Sequence, residues 1–219
     1  MSDRQALLFA LGIAIGLVAV SPPFDSAADD RLSMHMLQHL LLGDVTPLLL
    51  VAAIRGPMSV FALPRALVRA LGHSRRVRAV LHTVLVPRNT LVLWAAVVAG
   101  WHVPAAYDFA LAHESVHTLE HVSFAVAGLL VWVQILAPFG RPRLSAGGRA
   151  LFAGAVLGLG MVASEVLLVT GSLYPHYGLA ADQHRAALLM MGEQITTLGT
   201  AAALLVWAHV ESVAGELSA

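Results

Sequence analysis

Six stretches of this chain are long, apolar and nearly free of charge, and they restrict the fold more than any motif does. They cover residues 5–20, 33–54, 89–103, 113–136, 150–170 and 183–209. A hydrocarbon layer offers no partner for backbone N–H and C=O groups, so runs approaching ~20 apolar residues enter it as helices. The composition agrees: 58% of the residues are hydrophobic and 12% charged, where a soluble domain carries about 25% charged. The expected fold is all-α, a single transmembrane domain over 1–219 built as a polytopic bundle of about six helices.

Local signals refine this outline. The first run has the short apolar core of a secretory signal, with Arg4 before it and Ser26-Ala27-Ala28 after it. Pro22-Pro23 at its exit favours an uncleaved first helix instead. Residues 21–30 read as a polar, acidic connection. Ser33 is the expected N-cap of the second span and Pro47 its expected kink. Residues 63–71 read as an amphipathic interfacial helix and 77–86 as a short segment packed at the surface. Trp101 suits an interfacial belt. Gly154, Gly158 and Gly160 predict close packing of the fifth span.

Orientation follows from arginine, because the chain has no lysine. Seven of its 13 basic residues fall in 55–88 and three in 141–149, while the opposite ends of the hairpins hold only Arg31 and Arg185. The positive-inside rule makes 55–88 an Arg-rich cytoplasmic segment and puts both termini in the cytoplasm of a bacterial inner membrane. The formal net charge is zero, which gives no case for nucleic acid, so the surrounding partner is lipid.

The chemistry lies in the histidines. His113, His117 and His121 recur at every fourth residue, so they and Glu120 share one helical face. Three rings spread over about 12 Å of axis cannot all reach one ion. In the topology above, His35, His39, His102, His113, His117, His121, His176 and His184 all lie at the outer side, with Glu120 and Asp182. Met34 and Met36 flank His35. Cysteine is absent, so a metal must be held by His, Met, Asp or Glu. The candidate metal ligands are therefore His35, His39, His102, His113, His117, Glu120, His121, His184, Met34, Met36 and Asp182. The competing role is structural: histidine–carboxylate hydrogen bonds that pin the helices.

Four of these segments together resemble a known family: His35-Met36-Leu37-Gln38-His39-Leu40-Leu41-Leu42, Trp101-His102-Val103-Pro104-Ala105-Ala106-Tyr107, His117-Thr118-Leu119-Glu120-His121, and Asp182-Gln183. The set is similar to the CtaG-type membrane cytochrome c oxidase assembly factors, over roughly residues 31–207. The resemblance implies a bacterial polytopic membrane protein that assembles cytochrome c oxidase and has a role in supplying copper. Its partners would be oxidase subunits and a periplasmic copper donor. Members often carry a seventh span, which this sequence lacks, and a glycine pair and tryptophan where this chain has Ala186-Ala187 and Met191. An unrelated copper chaperone of the same name depends on cysteine and is excluded. Copper is the implied metal, and no catalytic residue is assigned. Two alternatives stay open: a zinc metalloenzyme, because His117–His121 fits His-x-x-Glu-His, and a haem protein with facing histidines as axial ligands.

Overall fold

The computed structural model describes residues 2–54, 74–139, 142–178 and 180–217, and these form helices joined by short connections, with no strand among them. Helix α1, Asp3–Ala19, opens with a capping box: the Ser2 hydroxyl accepts the Gln5 N–H, and the Gln5 side chain returns to the Ser2 backbone. Residues 21–30 are not a simple connection. Pro22 and Pro23 occupy the first turn of a short helix α2, Pro22–Asp30, bent 53° from α1, a position that suits proline because the N–H there has no intrahelical partner anyway. Helix α3 follows as Leu32–Ala53. Helices α4, Arg75–Val84, and α5, Pro87–Trp101, meet at 81°. Residues 104–111, between the third and fourth apolar runs, form α6, Pro104–Leu111. Then come α7, Glu114–Leu136, α8, Ala146–Val169, and α9, Ala180–Glu216. The expected helix at 63–71 and most of the Arg-rich segment lie outside the described residues. No residue of α4 is buried, in keeping with a surface position.

Helices α3, α7, α8 and α9 are each long and apolar enough to cross a bilayer, and α1 and α5 reach that length only with their bent partners, giving four spans or up to six. Outward-facing side chains include Leu17, Val92, Leu151, Val162 and Leu204, all more than half exposed. A water-soluble protein does not carry so continuous an apolar exterior, whereas a bilayer requires it.

Two buried polar residues join the spans at one end. Ser33 does not cap its own helix. Instead Asp182, at the start of α9, accepts the Ser33 N–H at 3.1 Å and the Ser33 hydroxyl at 2.6 Å. The next residue, Gln183, serves the other end of a different helix. Its Nε2 donates to the carbonyls of Leu167 and Thr170 at 2.9 and 3.1 Å, and its Oε1 accepts the Leu173 N–H at 2.8 Å. Adjacent residues thus satisfy orphan donors of α3 and orphan acceptors of α8.

Helix α3 is interrupted by a π-helical turn, Leu41–Val45, just before Pro47. Pro47 has no N–H to offer the carbonyl of Gly43, four residues back. That carbonyl points at Gly128 of α7, where an added Cβ would collide with it. Of the three glycines expected to pack α8, only Gly160 does so, against Gln194; Gly154 and Gly158 face open space.

Candidate metal centre

Histidines four apart place two rings on one face, one turn apart. The chain does this at His35/His39 in the first turns of α3 and at His117/His121 in the first turns of α7, and the helix packing brings the two pairs together. Ring centroids are 4.4 Å apart for His35–His39, 5.2 Å for His35–His117, 5.4 Å for His39–His121 and 4.2 Å for His117–His121. One ring nitrogen from each of the four lies within 4.8 Å of the others. A tetrahedral ion with bonds of ~2.0 Å holds its ligand atoms roughly 3.3 Å apart. The rings would close on such an ion by rotating inward on the order of 1 Å.

Hydrogen bonding sets which nitrogen is available. The Tyr177 hydroxyl lies 3.1 Å from His35 Nδ1, 3.0 Å from the Ala28 carbonyl and 3.1 Å from the Tyr107 hydroxyl. A carbonyl only accepts, so the Tyr177 proton goes to Ala28, and His35 donates its Nδ1–H to the tyrosine oxygen. That leaves the His35 Nε2 lone pair directed at the cluster. Burial pushes the Tyr177 hydroxyl above the ordinary tyrosine range, so it stays protonated. The Nε2 atoms of His35, His39, His117 and His121 are all buried with no hydrogen-bond partner among the described residues, as are both carboxylate oxygens of Glu120. Glu120 is fully buried and approaches His39 Nε2 at 3.6 Å, too long for a hydrogen bond. Each buried polar group left without a partner costs about 1–3 kcal/mol, and interiors rarely tolerate several side by side.

The remaining predicted ligands are placed elsewhere. His102 gives its Nδ1 to the Val98 carbonyl at 2.8 Å and keeps a buried, unpartnered Nε2; it lines a cavity with His39 but is outside the group of four. His113 precedes α7 as its N-cap, exposed, with its ring stacked on Phe109 and bonded to the Phe109 carbonyl at 2.8 Å. His184 is exposed on α9. Met34 is half-buried, and Met36 is buried in an apolar cluster with Leu32, Tyr107 and Met190. Asp182 spends its carboxylate on Ser33. Trp101, expected at the interface, donates its indole N–H to Ser123 of α7 at 2.8 Å.

Sequence reasoning missed the supporting residues. Tyr177 is one. Gln38 is another: buried between the two α3 histidines, it donates to the Ala19 carbonyl at 2.7 Å and to Asp25 at 2.9 Å, fastening α3 to the α1–α2 junction. The only signal for either was its place beside a histidine.

A family model described as cytochrome c oxidase caa3 assembly factor matches residues 1–212. No curated protein matches, and neither does any solved structure.

Proposed function

The chain belongs to the cytochrome c oxidase caa3 assembly factor family, and from that premise we propose that it binds a copper ion between α3 and α7 in the course of oxidase assembly. The observation that carries this reading is the convergence of four imidazoles, each with a ring nitrogen within 4.8 Å of the others and a buried Nε2 that has no partner among the described residues. Imidazole suits copper, zinc, iron and nickel, and copper is the metal implied by the family resemblance. Glu120 supplies the counter-charge that a cation needs in a low-dielectric interior, and Tyr177 holds the His35 tautomer. The arginine asymmetry supports an orientation with the cluster at the outer face, next to a periplasmic copper donor and the oxidase subunits that receive the ion. Phe124 stacked on His39 and Tyr107 beside His35 favour a small ion over a haem.

The test is the His117→Ala/His121→Ala double variant. We expect it to insert and accumulate normally, to lose most metal affinity, and to stop supporting oxidase assembly under copper limitation. Excess copper is expected to restore part of the oxidase activity by mass action. Normal oxidase assembly by this variant at limiting copper would make the cluster structural. Metal analysis of the purified protein separates copper from zinc.

A further inference from the structure

A second group of buried polar side chains lies further along α3 and α9. Asp44 sits in the π-turn of α3, where its carboxylate accepts the Trp132 indole N–H and, at 2.8 Å, the Thr197 hydroxyl. Thr197 belongs to a second π-turn, Ile195–Gly199, in α9. Two π-turns therefore meet across one hydrogen bond, and such turns in helices recur at functional sites. Glu193 brings its carboxyl against Asp44, close enough for the pair to share a proton, and neither of its oxygens accepts an N–H among the described residues.

The neighbouring Gln194 is 6% exposed, with its Nε2 at 3.4 Å from the Ser164 hydroxyl and its Oε1 unpartnered. That oxygen lies in the space left by the missing side chain of Gly160. Asp44, Glu193, Gln194 and Gly160 line a cavity of about 70 Å³ that also reaches His39 and His102, and among the described residues no arginine borders it. Two carboxylates in contact inside an apolar bundle cannot both stand ionised without a counter-charge.

We infer that Asp44, Glu193 and Gln194 form a second cation site, separate from the imidazole cluster, for a divalent ion of the oxygen-preferring class. Two carboxylates match the charge of one divalent ion. Carboxylate and amide carbonyl oxygens are the donors chosen by magnesium, calcium and manganese rather than by copper. Each carboxylate oxygen of Asp44 keeps a lone pair after accepting from Trp132 or Thr197. The cavity has room for the water that completes the coordination shell.

Manganese(II) is the probe. Purified full-length protein in detergent, titrated with Mn²⁺ while the free-ion EPR signal is followed, is expected to take up one ion per chain. H117A/H121A should retain that uptake, whereas E193Q and D44N should weaken it about tenfold or more. G160A is an independent variant, since its methyl group displaces the Gln194 oxygen and leaves both carboxylates intact; it should weaken uptake too. Wild-type protein that leaves all Mn²⁺ free overturns the inference whatever the variants do. So does uptake that E193Q and D44N leave unchanged, or that H117A/H121A abolishes. Copper binding measured on the same variants reports on the imidazole cluster alone, so either site can fail without the other.

Discussion

Tyr177 is the side chain through which the imidazole cluster is most directly adjusted, because its single hydroxyl meets His35, Ala28 and Tyr107. Tyr177→Phe keeps the ring and removes the acceptor that orients the His35 Nδ1–H. Metal affinity is expected to fall roughly 10–100-fold with the fold retained, measured by competition against a chelator of known affinity. Glu120→Gln should weaken copper retention by a similar order if the carboxylate is a counter-charge, and should abolish hydrolysis outright if it were the general base of a zinc enzyme. Binding should also weaken as pH falls, because protons compete for imidazoles that bind metal only when neutral. Tyr177, pushed upward by burial, adds no second limb near neutrality. At this scale the sequence was partly readable. Spacing by four was enough to pair His35 with His39 and His117 with His121. It also placed His113 on the stripe, and only the backbone shows that this residue precedes the helix as its cap. A carboxylate among histidines looks the same in sequence whether it faces an ion or a helix terminus, and Asp182 accepts both the N–H and the hydroxyl of Ser33.

Among the elements, the α3–α7 crossing sets the separation of the two histidine pairs, and it depends on Gly128. Gly128→Ala forces a methyl group onto the Gly43 carbonyl and is expected to cost about 1–3 kcal/mol, read as a lower thermal inactivation temperature in detergent together with weaker metal binding. Gly158→Ala is the contrast. It has open space around it, so it should be neutral or stabilising by about 0.5–1 kcal/mol. Asp182→Ala removes the acceptor for two donors at the start of α3 and should cost about 1–2 kcal/mol, loosening the turn that carries His35. Apolar run length made the spans legible. Which helices pack together did not follow from it, since lipid-facing and helix-facing residues are equally apolar.

For the molecule as a whole, the family match over residues 1–212 and the apolar exterior agree on a membrane protein of oxidase assembly. Sidedness is the property to measure. A reporter inserted at 142–145 is expected to read cytoplasmic and one at 171–178 periplasmic. The reverse pattern would turn the imidazole cluster to the inner face and remove the argument for delivery to an outward-facing copper centre. Both positions are connections, so insertion there disturbs no span.

The paired π-turns also govern how side chains are phased along α3 and α9. A π-turn holds one residue more than an α-turn, and one residue corresponds to about 100° of rotation about the axis. The half of α3 carrying His35 and His39 and the half carrying Pro47 and Val51 therefore belong to two helical wheels offset by that angle, and no single wheel drawn over Leu32–Ala53 puts both sets inward. Deleting one residue from Leu41–Val45 would restore a regular helix and swing the histidines out of line with α7 while changing no ligand. In this helix, residue count alone decides whether the imidazoles face each other or the lipid.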